Sequence, residues 1–113
     1  MYQIGLSNTY GWPVEVQHAK DGGGFEKRTF DIEFQRFDQD GIDDLGARAK
    51  DGRLGDKEFC REVVTGWRGV AGANKEELVF SQGNLEMLLK VPGMAAAIVR
   101  AFYASLRGER EKN

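Results

Sequence analysis

The sequence predicts an α+β domain: an N-terminal antiparallel β-hairpin or small sheet packed against about four α-helices. Three observations carry this prediction. Apolar and polar residues alternate over residues 12–18 and 25–37, the period of strands with one wet face. From Ile42 onward the apolar spacing lengthens to three and four residues, the period of a helix. Capping residues and breakers then punctuate the chain at intervals suited to short helices.

Residues 2–6 alternate Tyr2, Ile4 and Leu6, a weak strand signal, before a turn-like break at Asn8 and Gly11. A strand over about 12–18 sets Val14 and Val16 against Glu15 and Gln17, and Pro13 near its start suits an edge or a first strand position. Lys20-Asp21-Gly22-Gly23-Gly24 reads as a loop. A second strand over about 25–37 puts Phe30, Ile32 and Phe34 on one face and Asp31, Glu33 and Gln35 on the other. Asp38 or Asp40 can cap a helix over about 40–50 bearing Ile42, Leu45 and Ala49. Asp56 can cap another over about 56–66, with Phe59, Val63 and Val64 inward and a stop near Gly66. Residues 68–79 read as a long loop, the kind that is often functional or mobile. Ser81 is a good N-cap for a helix over about 82–90 bearing Leu85, Leu88 and Leu89, and Pro92 ends it. A last helix over about 93–107 carries Met94, Ile98, Phe102 and Leu106 four apart, with Gly108 as a stop. Residues 109–113 are charged or polar and read as a frayed tail. With no repeat and no linker, residues 1–113 make a single domain.

Composition narrows the function. Apolar residues make up 41% and charged residues 30%, ordinary for a globular domain. A net charge of −2 supplies no overall field to draw in nucleic acid or an anionic membrane. One Cys excludes an internal disulfide and fits a reducing compartment. There is no signal peptide and no membrane-spanning run, so a cytoplasmic location is expected.

Residues able to do chemistry are few. His18 is the only histidine and has no second His or nearby Cys with which to bind zinc. Cys60 sits beside Phe59, about one turn into a helix, and reads as a core residue rather than a reactive thiol. Asp38, Asp40, Asp43 and Asp44 surround Gly41, but an EF-hand frame centred there puts Arg36 and Ala47 at ligand positions, so helix capping is the better account. Gly22-Gly23-Gly24 lacks the Lys-Ser/Thr of a phosphate loop. Gly66, Gly69 and Gly72 follow a helix rather than a strand, so they make no dinucleotide fingerprint. Basic Lys27, Arg28 and Arg36 interleave with Phe25, Phe30 and Phe34, which raises a weak nucleic-acid-binding alternative; acidic Glu26, Asp31 and Glu33 and the inward aromatics weigh against it. No catalytic, metal or cofactor residue is assigned, and an enzyme is not expected. Trp67, Arg68, Val70, Val99, Arg100 and Tyr103 are the residues best suited to hold a partner, because Trp, Tyr and Arg concentrate binding energy at interfaces.

The chain also resembles the tail assembly chaperones of long-tailed bacteriophages and prophages. The resemblance rests on Trp12-Pro13-Val14, Gly22-Gly23-x-Phe25-Glu26-Lys27-x-Thr29-Phe30, Glu33-Phe34-x-Arg36 and Val64-x-Gly66-Trp67-x-Gly69-Val70. It continues through Phe80-Ser81-x-x-Asn84-Leu85-x-x-Leu88-Leu89, Pro92-Gly93 and Ala101-Phe102-Tyr103-x-Ser105-Leu106. No piece is a specific motif; their order and spacing carry the likeness. The stretch Ala71 to Val79 departs from the family pattern, which has an acidic, glycine-containing turn and a proline there. The resemblance implies a non-catalytic protein of the bacterial host cytoplasm, absent from the mature virion. Its partners would be the helical tape measure protein and tail tube subunits, the latter through a frameshift-extended form. Glu111-Lys112-Asn113 can be encoded by a slippery heptanucleotide at which such an extension would begin. Whether the chain self-associates stays open, and a small cytosolic adaptor domain of unknown pathway is the alternative.

Overall fold

A computed structural model describes residues 1–108. Two long strands, β1 (Thr9–Ala19) and β2 (Phe25–Gln35), form an antiparallel hairpin. Helices α1 (Gln39–Lys50) and α2 (Asp56–Val63) follow, then a short strand β3 (Val64–Arg68), then helices α3 (Gln82–Leu89) and α4 (Met94–Arg107). The sheet order is β1-β2-β3, all antiparallel, with the four helices completing an α+β fold.

The hairpin register places Tyr10 opposite Phe34, Trp12 opposite Ile32 and Val14 opposite Phe30, so one face of the sheet is apolar. Helix α4 covers that face along β1, and α2 packs against α4. Phe102 is the hub. Its ring meets Phe34 at 5.2 Å, Phe59 at 5.4 Å and Phe37 at 6.2 Å between centroids, each edge to face. Strand β2, the segment just after it and helix α2 therefore converge on one side chain of α4. No polar or charged residue is buried among the described residues, so apolar burial is the main force holding the layers together.

Local chemistry sets the ends of the elements. Asp38 Oδ1 accepts a hydrogen bond from the Gly41 amide at 2.8 Å and caps α1. Ser81 Oγ accepts from the Asn84 amide at 3.0 Å and caps α3. Between α3 and α4 the chain turns 107° through Gly93, whose φ of +80° a side chain would resist. Gly108, at φ +73°, closes α4.

Several expectations need correction. The helix expected over 56–66 ends at Val63, and residues 64–68 form the third strand. Val64, Thr65 and Trp67 favour extended backbone, and the free edge of β2 supplies the hydrogen bonds a longer helix would have made internally. Gly55, not Asp56, occupies the N-cap of α2, and Asp56 lies in the first turn. β1 begins three residues earlier than expected, at Thr9, and β2 stops at Gln35, where β1 runs out of partners. Phe37 leaves the strand to pack against Phe102. Residues 2–6 join no strand, and their apolar side chains stand in water. Leu106, expected on the inward stripe of α4, is 44% exposed in the last turn of that helix. The tail over 109–113, and with it the expected slippage site at Lys112-Asn113, lies outside the described residues.

Candidate interaction surface

The six residues singled out for partner binding fall in two groups on different elements. Trp67 and Arg68 end β3, and Val70 is the second residue of the loop that follows. Trp67 lies in register with Ile32, and its ring packs edge to face on Phe80 at 5.0 Å. Its Nε1 donates to the Leu78 carbonyl at 2.7 Å. The half-buried indole thus fastens the loop from Gly69 to Phe80 back onto the sheet. Val70 and Leu78 add a backbone bond of 2.8 Å, and Ala71 bridges to Glu77, so the stretch expected to be open loop is a tight flap. Lys75 sits at its tip with φ +66°. Arg68 is exposed and pairs in register with Asp31.

The second group is on α4. Val99 and Tyr103 are half-buried against the core, and Arg100 is exposed. Tyr103 lies 5.6 Å from the ring of Phe59 and 5.7 Å from that of Phe102, and burial pushes its phenol above the ordinary value. Its placement beside α2 makes it a seam residue between the two helices.

The chemistry-bearing side chains are committed to structure. Cys60 is fully buried, its Sγ 3.6 Å from the Ala95 carbonyl, and burial pushes its thiol up to about 12. Asp44 accepts from Arg48 Nε at 2.9 Å, and Asp43 accepts from Gln39 Nε2 at 3.0 Å, so the acidic cluster serves the first turns of α1. Among the described residues no group of three or more His, Cys, Asp or Glu could hold a metal ion. No single helix among them is long and apolar enough to cross a membrane.

No protein-family model, curated protein or solved structure matches the chain.

Two surface features lay beyond sequence reasoning. One is a groove at the far end of the hairpin, floored by Val16, Phe30, Val70, Leu88 and Met94 and rimmed by His18 and Arg28. The strand, flap and helix residues that build it are far apart in sequence, so no local pattern announces it. The other is a recess on the outer face of the sheet. Gly11, Glu33 and Gly66 lie side by side there, and Glu33 accepts from Thr65 Oγ1 at 2.8 Å. Glycines at positions 11 and 66 of two strands were its only sequence signal. Beyond these, Val79 on the flap is 73% exposed and Met87 on α3 is 52% exposed.

Proposed function

We propose that this chain is a tail assembly chaperone of a long-tailed bacteriophage or prophage. In this reading it is a non-catalytic protein that holds the helical tape measure protein in the host cytoplasm, helps recruit tail tube subunits and is left out of the finished virion. The observation that carries the reading is the ordered series of anchors from Trp12 to Leu106 that resembles that family. A chaperone of this kind needs contacts that are numerous, weak and exchangeable, so that polymerising tube subunits can displace it. Half-buried Trp67, Val70, Val99 and Tyr103 beside exposed Arg68 and Arg100, with Val79 and Met87 in water, fit that requirement. Apolar side chains already at the surface can grip an amphipathic helix without the domain opening.

Co-expression with the tape measure protein of the same genome tests the reading. The tape measure should stay in the soluble fraction only when this chain is present. Arg68→Glu and Arg100→Glu, at exposed positions, should weaken that protection while leaving the domain folded. A tape measure that aggregates equally with and without the chain would sink the proposal.

A further inference from the structure

Residues 69–80, the flap between β3 and α3, bond chiefly to themselves. The Leu78 amide donates to the Val70 carbonyl at 2.8 Å, the Gly72 amide to the Glu76 carbonyl at 2.9 Å and the Lys75 amide to the Gly72 carbonyl at 2.9 Å. Among the described residues no backbone hydrogen bond joins the flap to the rest of the domain. Two side chains from outside tie it down. Trp67 Nε1 donates to the Leu78 carbonyl and Asn84 Nδ2 to the Val79 carbonyl, each at 2.7 Å. Of the flap's hydrophobic residues, Val70 and Phe80 pack against the core, while Ala71, Ala73 and Val79 stand in water. At the root of the flap Gly69 holds φ +81°, a backbone geometry that glycine adopts freely and a side chain resists.

The flap sits over apolar surface. Val70 and Ala71 wall the groove at the far end of the hairpin, and Val16, Leu88 and Met94 beneath them are only 4%, 8% and 5% exposed. With the flap in place that floor is almost wholly hidden. β3 pairs with β2 alone, so the sheet keeps every strand if the flap moves. Releasing the flap breaks the two side-chain bonds and the contacts of Val70 and Phe80. Unfolding the domain breaks the β1–β2 ladder and the rings around Phe102 as well. Flap opening therefore lies far below global unfolding in free energy.

We infer that residues 69–80 are a lid: they lift about Gly69 and the junction with α3, and uncover the apolar floor of Val16, Phe30, Leu88 and Met94 while the sheet and the helices stay folded. Trp67 is the latch, because its indole reaches the flap from the sheet itself. This inference is independent of the chaperone reading, and its test uses no partner protein.

A glutamate-specific protease tests the lid on the full chain, with initial rates read by mass spectrometry. Once lifted, a two-stranded ladder this short does not persist in water, so the bonds after Glu76 and Glu77 become cleavable. The bond after Glu33, in the central strand, is cleaved only when the whole domain unfolds. Cleavage after Glu76 or Glu77 should outrun cleavage after Glu33 by on the order of tenfold or more. Trp67→Phe and Asn84→Ala should each raise flap cleavage roughly three- to tenfold, the factor that one lost hydrogen bond supplies, with circular dichroism unchanged. Both variants should also bind the apolar dye anilinonaphthalene sulfonate more strongly than the parent, because the floor is open more of the time. Equal cleavage after Glu33 and Glu77 in the parent, flap cleavage unmoved by both substitutions, or dye binding no stronger in either variant would each overturn the inference.

Discussion

Trp12 and Trp67 face the same side of the sheet and lie in register with Ile32 from its two neighbouring strands, yet their indole nitrogens differ. Trp67 Nε1 donates to Leu78, whereas Trp12 Nε1 is buried and finds no acceptor among the described residues. Removing a satisfied donor leaves the Leu78 carbonyl unpaired, at a cost of about 1–3 kcal/mol. Removing an orphaned donor relieves a desolvation penalty of similar size and offsets part of the lost packing. Urea unfolding should therefore show Trp67→Phe to be more destabilising than Trp12→Phe. Equal losses would mean that the indole bond to the flap contributes nothing. Cys60 supplies a second prediction at this scale. Burial holds its thiol protonated in the folded state up to about 12, against an ordinary 9.0 when unfolded. Its effect on stability is nil below 9.0, and stability is lost as pH rises from there towards about 12, because only the unfolded chain releases the proton. Native protein should be inert to thiol reagents at mildly alkaline pH and react only on unfolding; a fast-reacting native thiol would contradict the burial.

Element boundaries rest on a few backbone decisions. At Gly93 a methyl group would meet nothing within 4 Å, so any penalty there is conformational and not steric. Gly93→Ala should cost about 1–2 kcal/mol, the cost of forcing a side chain into left-handed geometry, and Gly93→Asn less. Ser81→Ala should cost about 1 kcal/mol by uncapping α3. Denaturant midpoints check both, and a neutral Gly93→Ala would mean that the α3–α4 corner can be built another way. These elements were legible because their signals are local: Asp38 and Ser81 before helices, Gly108 after one, and period-two alternation in the hairpin. β3 was not legible. Phe59, Val63 and Val64 continue a helical stripe, and only the distant edge of β2 makes extended backbone the better choice for residues 64–68. Trp67 looked like the end of a helix for the same reason, and its clasp on Leu78 depends on a flap whose fold no spacing revealed. Within the candidate surface, residue types could be read from the sequence. Which of them stand in water could not.

Over the whole molecule, ion pairs tie helices that share little apolar contact. Arg48 reaches Glu62 with bonds of 2.7 and 2.8 Å, linking α1 to α2, and Arg61 holds Glu86 with two bonds of 2.7 Å, linking α2 to α3. The hydrogen bonds from Arg48 and Arg61 hold the Glu62 and Glu86 carboxyls below their ordinary 4.5. Their contribution to stability is present above 4.5 and lost as the pH falls through the lowered folded values. Thermal unfolding of Glu62→Gln and Glu86→Gln should show a shallower acid limb than the parent, with a small effect at neutral pH because the groups are partly solvated. An unchanged limb would assign acid unfolding to other carboxylates. The position of Phe102 bears on the order of events during synthesis. Phe34, Phe37 and Phe59 are all made before the ring they surround. Until residues 94–107 clear the ribosome, the hairpin lacks the helix that packs along β1. The nascent chain therefore carries a partly uncovered greasy sheet for most of its elongation and closes late, when α4 arrives.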